Sequence, residues 1–152
     1  MRFPGGRWGR RQMIFHPAPT RAPYRPFAAM VFVWEGDKTL LCRIPGRGWC
    51  IPSGRVEGTE TSEMAARREA LEEGGVIVEG LRYLGCYQIQ DRNGVVYAEA
   101  FTATAKEFVD IPKDSESSAR LWVERTDLPC CYHCWDSLAE AVFDHARDVV
   151  YR

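Results

Sequence analysis

Between Thr61 and Gly75 the chain reads TSEMAARREALEEGG, a run of good helix formers closed by a glycine pair, and β-rich sequence flanks it on both sides. Thr61 is placed to cap the helix, Glu63 lies in the first turn where the helix dipole favours a negative charge, and Gly74 and Gly75 end it. Upstream, FAAMVFVW (Phe27–Trp34) reads as a buried strand, EGDK (Glu35–Lys38) as a turn and TLLCRI as the returning strand. PGRG (Pro45–Gly48) is a second turn, leading into the short WCIP. Downstream, VIVEGLRYLGCYQI supplies strand material with Gly80 and Gly85 as bends or bulges. Asn93-Gly94 signals a hairpin into VVYAEAFTATA. A loop over Asp110–Ala119 and a last strand, RLWV, precede a helix from about Leu138 to Val150, for which Ser137 and Glu140 fit a capping box. Leu138, Ala141, Val142, His145 and Val149 give that helix an apolar face, so His145 reads as a packed core histidine. This order predicts an α+β class, two helices covering a mostly antiparallel or mixed sheet.

At 152 residues the chain is expected to fold as a single domain over residues 27–152, preceded by a basic, Pro/Arg-rich arm over residues 1–26. No apolar run approaches the length of a membrane span, and the start lacks the apolar core of a secretory signal. The expectation is a cytoplasmic chain without a membrane partner. The net charge of −1 hides an asymmetry: residues 1–26 carry six arginines and no acid, leaving 14 basic against 21 acidic side chains in the remainder. Phe3, Trp8, Phe15 and Tyr24 interleave with Arg2, Arg7, Arg10, Arg11, Arg21 and Arg25, a mixture able to hold nucleic acid through phosphates and stacking. The favoured expectation is an irregular arm folded over the body, because the segment has no recognisable nucleic-acid motif. Steering of anionic substrates is a third use. Cys42, Cys50 and Cys86 read as small core residues. Cys130, Cys131 and Cys134, near His133, lack the second ligand pair of a zinc site and are expected to be reduced thiols.

The charge pattern of the first helix is the strongest functional signal. Glu69, Glu72 and Glu73 fall within five positions and project in a sector about 100° wide. Met64 and Leu71 point elsewhere, an expected buried face, and Arg68 stands four residues before Glu72, where it can brace it. Repulsion at such spacing costs only about 0.2–0.5 kcal/mol, so a solvated face is tolerable. Three carboxylates on one face equally form a hard, oxygen-rich site suited to Mg²⁺ or Mn²⁺.

The flanking residues resemble the Nudix box, G-x5-E-x7-R-E-U-x-E-E-x-G-U, with U a bulky aliphatic residue. Here Gly54, Glu60, Arg68-Glu69, Glu72-Glu73, Gly75 and Val76 fall on the pattern, and the lead-in GWCIPSG is similar to W-x-x-P-G-G. Ala70 is small for the first U, and Ser53 replaces the first glycine of the pair. The resemblance implies an α/β/α sandwich around a mixed sheet. It also implies a Mg²⁺- or Mn²⁺-dependent pyrophosphohydrolase acting on a small-molecule nucleoside diphosphate linked to another moiety. By the same resemblance Glu72 and Glu73 bind metal, Glu69 is a further ligand or the general base, and Arg68 holds the carboxylates. Glu60 supports the loop and helix or a further metal, and Gly54 lets the backbone approach the metal. Glu116, in SESSARLWV, matches a loop glutamate that serves as base in many relatives, and Glu99 is a weaker candidate. The resemblance also makes a homodimer possible.

Substrate-binding residues are not assigned by the box. The SQPWPFP-like segment, the coenzyme A motif and the proline of ADP-ribose enzymes are absent, Arg92 and its neighbours occupying the last position. Trp34, Tyr83, Tyr87 and Tyr97 are able to stack a base, although strand aromatics are more often core. The alternative to an enzyme is a non-catalytic module on the same fold that holds a nucleotide or RNA through the basic arm.

Overall fold

The computed structural model describes residues 2–152. Its strands are β1 (Gly6–Trp8), β2 (Arg11–Pro17), β3 (Ala28–Glu35), β4 (Lys38–Ile44), β5 (Gly48–Cys50), β6 (Ser53–Arg55), β7 (Val76–Asp91), β8 (Gly94–Phe108) and β9 (Ala119–Glu124). Its helices are α1 (Ser62–Gly74), the short α2 (Leu128–Cys131) and α3 (Ser137–Val150). The strands form one mixed sheet in the order β1-β2-β7-β8-β3-β4-β5, with β6 paired to β3 and β9 to β4. Only β3 and β8 pair in parallel, from Ala28 opposite Ala98 to Trp34 opposite Thr104. Among the described residues no helix is long and apolar enough to cross a membrane.

The unbroken apolar run of β3 is explained by burial on both faces, because successive side chains alternate across a strand. Ala29, Val31 and Val33 pack toward Ala65, Ala66 and Ala70 of α1. Ala28, Phe32 and Trp34 pack toward Leu138, Val142, Phe143 and Ala146 of α3. The expected α+β sandwich is therefore present, with a helix on each face. β7 and β8 form the long hairpin signalled by Asn93-Gly94, and its register shifts fall near Gly80 (φ 63°) and at Gly85 (φ 152°).

Two helix details differ from expectation. Thr61 does cap α1, accepting from the Met64 amide at 3.1 Å, and Gly75 closes it in the left-handed conformation. Yet Met64 and Leu71 are 54 % and 38 % exposed. The buried stripe is Ser62, Ala65, Ala66, Glu69, Ala70 and Glu73. The helix lies too close to the sheet for large side chains: a Cβ on Gly74 would sit 2.6 Å from Leu40 Cδ2. The cap of α3 is Asp136 rather than Ser137, its carboxylate accepting from the Ala139 amide at 2.8 Å, while Glu140 pairs with Arg125 at 3.3 Å. His145 packs against the rings of Phe3 and Phe15, as a core histidine does.

The N-terminal segment is the larger surprise. Instead of an irregular arm, residues 6–17 form a hairpin whose second strand pairs with β7 from Gln12 opposite Gln90 to Pro17 opposite Gly85. Met13 and Phe15 turn inward while Gln12 and Ile14 are exposed, the alternation of a half-buried strand, and Pro17 ends it with Pro19, Pro23 and Pro26 beyond. Arg21 and Arg25 then tie the chain to the body: Arg21 lies 3.6 Å over the Tyr83 ring, and Arg25 donates to the carbonyls of Gly58 and Glu60.

The close seating of α1 makes a contrast measurable by urea unfolding. Ala70→Leu should cost about 1–3 kcal/mol by overpacking, whereas Met64→Ala should stay within about 0.5 kcal/mol. Equal costs would mean that α1 is seated differently.

Candidate active site

Arg68 organises the carboxylates of α1. Its Nε and Nη2 donate to Glu60 at 2.7 and 3.0 Å, and Nη2 also donates to the Arg55 carbonyl at 2.9 Å. Its Nη1 donates to Glu69 at 2.7 Å and Glu72 at 3.2 Å. All five N–H groups of the guanidinium are thereby used, an arrangement that lysine, with three donors on one nitrogen, cannot copy. The hydrogen bonds from Arg68 pull the Glu60 carboxyl down to about 2.

Glu69 and Glu73 behave oppositely because α1 buries them. Burial raises Glu69 to about 6, with Arg68 acting against it. Burial raises Glu73 to about 7, opposed by the Ser53 amide, which donates to it at 2.9 Å, and reinforced by the charges of Glu69 and Glu116. Ser53 sits opposite Met30 in the β3–β6 ladder, so serine is accommodated there as strand backbone. Gly54 is required sterically, since a Cβ at that position would run into the Glu69 carboxylate. The close approach at Gly54 in this structure is thus made by a glutamate.

These groups open onto a cavity of about 710 Å³. One end holds Glu69, Glu72, Glu73 and Arg68, with Glu57 beside them, and Asp114, Ser115 and Glu116 enter from the loop before β9. The floor is apolar, built from Phe27, Met30, Phe32, Ile51, Tyr87, Ile89 and Phe143. Arg7, Trp8 and Arg11 from the hairpin and Tyr132, His133, Cys134 and Asp136 from the segment before α3 also line it.

The structure therefore brings together Arg68, Glu69, Glu72, Glu73, Gly54 and Glu116. Glu60 does not line the cavity and has both oxygens engaged by Arg68, which makes it a brace. Glu99 also lies elsewhere: it is buried, accepts from Ser62 Oγ at 2.5 Å and from the Ala22 amide at 3.2 Å, and so ties the start of α1 to β8. Of the four suggested stacking residues only Tyr87 lines the cavity. Trp34 is core, Tyr83 donates to the Thr20 carbonyl, and Tyr97 meets Tyr24 edge to face. Phe27, Tyr132 and Arg47 escaped sequence reasoning as site residues, and Trp8, Arg7 and Arg11 were named only within the basic arm. The pairing of β2 with β7 is what carries the hairpin residues to the cavity.

Whether the site suits a divalent cation is decided by donor chemistry. The three glutamates are hard oxygen donors at a cavity wall, two of them buried with no cation other than Arg68 in hydrogen-bonding contact. With Arg68 standing between Glu69 and Glu72, no three His, Cys, Asp or Glu side chains among the described residues converge as a metal-holding group. The same holds for the cysteine cluster: all six cysteines are free thiols, and Cys134 Sγ donates to the Arg7 carbonyl at 3.6 Å.

Comparison with known proteins agrees with this geometry. Over 78 residues the chain is 38 % identical to the putative 8-oxo-dGTP diphosphatase YtkD of Bacillus subtilis (strain 168), covering 51 % of this chain and 46 % of that protein. Over 94 residues it is 36 % identical to diphosphoinositol polyphosphate phosphohydrolase 2 of Rattus norvegicus, covering 60 % and 49 %. The chain spans about half the length of these curated relatives. The fold matches the crystal structure of the Bacillus subtilis pyrophosphohydrolase BsRppH with a TM-score of 0.82 at 21 % identity, over 98 % of both chains. The NUDIX domain family model matches residues 24–145, from just before β3 into α3 and including every carboxylate gathered by Arg68, and the chain belongs to the Nudix family.

Proposed function

We propose that this protein is a Mg²⁺- or Mn²⁺-dependent hydrolase that cleaves the pyrophosphate bond of a nucleoside diphosphate linked to another moiety. The observation that carries the reading is the Glu69, Glu72 and Glu73 edge of α1 set at one end of a largely apolar-floored cavity. The relatives' names, a diphosphatase and a phosphohydrolase, support the same class.

Glu72, Glu73 and Glu69 would hold the cation, with Glu60 acting through Arg68. When bound, a divalent cation offsets phosphate charge and polarises the bond under attack. Arg68 orients Glu69 and Glu72. The Ser53 amide orients Glu73. Glu116 faces the cavity from another element and is free of Arg68, which makes it the general base that takes a proton from the attacking water. The apolar floor excludes water around the organic part of the substrate.

Three outcomes are expected. Glu73→Gln should lower metal-dependent turnover of a nucleotide panel by about 100-fold or more while its thermal unfolding stays cooperative; near-normal turnover in that variant would sink the assignment.

Glu116→Gln should abolish the acidic limb of the pH–rate profile yet keep the stabilisation given by Mg²⁺. If Glu69→Gln does this instead, the roles of the two exchange.

In EDTA, Glu69 and Glu73 bind protons more tightly folded than unfolded. Their favourable contribution is present below their ordinary value of 4.5 and is lost as pH rises through about 6 and about 7. Glu60 acts oppositely, but only as pH falls toward about 2. The melting temperature in EDTA should thus fall between about pH 5 and pH 7, and Mg²⁺ should restore more at about pH 8 than at about pH 5. A Mg²⁺ gain equal at both pH values would count against a cation held by these carboxylates.

A further inference from the structure

Glycine is the usual residue at position 53 in the lead-in that this chain resembles, and the chain places a serine there. The β3–β6 ladder decides where the extra side chain goes. On β3, Ala29 packs in the core beneath α1 and Met30 in the core beneath α3. Their partners on β6 are Gly54 and Ser53. Residues paired across a ladder share a face. Gly54 therefore looks toward α1, where a Cβ would strike Glu69, and Ser53 looks with Met30 into the cavity. The main chain is used separately. The Val31 amide donates to the Pro52 carbonyl at 3.0 Å, so the same planar peptide turns the Ser53 amide away from β3 and onto Glu73, at 2.9 Å. Ser53 thus fixes Glu73 without its hydroxyl, and Oγ has no hydrogen-bond partner among the described residues.

The turn before β5 brings a cation to the same wall. Gly46 (φ 80°) and Gly48 (φ 106°) bracket Arg47, whose amide closes the turn on the Ile44 carbonyl at 3.0 Å. The turn is also held from outside. His133 donates its amide to the Trp49 carbonyl at 3.0 Å, and a Cβ on Gly48 would lie 3.4 Å from His133 Cβ. The Arg47 side chain is exposed, lines the cavity and forms no ion pair among the described residues. Cys50, Ile51 and Ser53 continue the wall from it. Burial and then the Arg47 charge draw His133 down, and the same charge opposes the burial that raises Glu73, so Arg47 acts on both. Arg68, by contrast, has every N–H committed to the protein.

We infer that Ser53 Oγ and the Arg47 guanidinium form a phosphate clamp beside Glu73, binding the non-bridging oxygens of the pyrophosphate that face away from the α1 carboxylates. This deepens the hydrolase reading and rests on it for the substrate. A cation held by Glu69, Glu72 and Glu73 leaves those outer oxygens in need of other donors. A hydroxyl and an uncommitted guanidinium supply them as charge-assisted hydrogen bonds. Glycine at position 53 has no hydroxyl to give, so the clamp belongs to this chain's departure from the pattern.

Titration calorimetry with methylenediphosphonate in Mg²⁺ reads the clamp without turnover. Ser53→Ala keeps the amide to Glu73 and removes only Oγ. It should weaken binding by about tenfold, and Ser53→Thr, which keeps a hydroxyl, should restore it. Arg47→Ala should weaken binding by about tenfold or more, and Arg47→Lys by less, a point charge replacing the fork. Mg²⁺ titrated alone should bind Ser53→Ala as tightly as the parent chain. Unchanged affinity for the analogue in both alanine variants overturns the inference. A loss in Ser53→Ala matched by an equal loss of Mg²⁺ affinity overturns it as well. Analogue binding that needs both side chains, in a protein that hydrolyses no nucleotide of the panel, would uphold the clamp and defeat the hydrolase reading. Metal-dependent turnover indifferent to both substitutions would do the reverse.

Discussion

The fan of hydrogen bonds from Arg68 is what lets three carboxylates share one end of this molecule. Glu60, Glu69 and Glu72 each accept from the same planar group, and the Arg55 carbonyl takes the remaining donor. The fixed fork of the guanidinium supplies direction as well as charge. It also separates the acids chemically. Glu60, the most fully engaged, stays ionised far below the usual carboxylate range, while Glu69 and Glu73, governed by burial, are drawn toward neutrality. The loop before α1 thus supplies a bracing carboxylate, Glu60, and the helix supplies responsive ones along its inner face.

That separation depends on how closely α1 approaches the sheet. Alanines at 65, 66 and 70 and glycines at 54 and 74 remove the side chains that would hold the helix away, and the glutamates at 69 and 73 are carried inward in the same stripe. The cost of burying carboxyl groups is moderated by Arg68 and the Ser53 amide. Small residues are therefore part of the acid chemistry: they set the depth at which the carboxylates sit. Residues of α3 and of the N-terminal hairpin line the same cavity as the glutamates of α1.

Much of this was legible because it is local. The cap at Thr61, the glycine stop, the Asn93-Gly94 hairpin and the spacing of the box acids all follow from contacts within a few residues, and each is found as expected. The errors share another cause. Met64 and Leu71 were assigned inward on the rule that large apolar side chains seek burial, but the helix–sheet distance leaves room only for small ones. Glu99 looked ambiguous because alternation allows either face, and its partners Ser62 and Ala22 are remote in sequence. The proline-rich start concealed a strand, since the pairing that stabilises β2 is with residues some seventy positions away.

The sequence by itself determined the two long helices, most of the strands, the identity of the carboxylates and the family to which they belong, since spacing along one helix and turn chemistry are short-range properties. Tertiary structure alone decided which glutamates are buried and which one braces the arginine. It also decided that Trp8, Arg7 and Arg11 face the same cavity as residues more than forty positions away. Burial and charge coupling depend on distances through space, and those are set only when the sheet closes and α1 and α3 dock on its two faces.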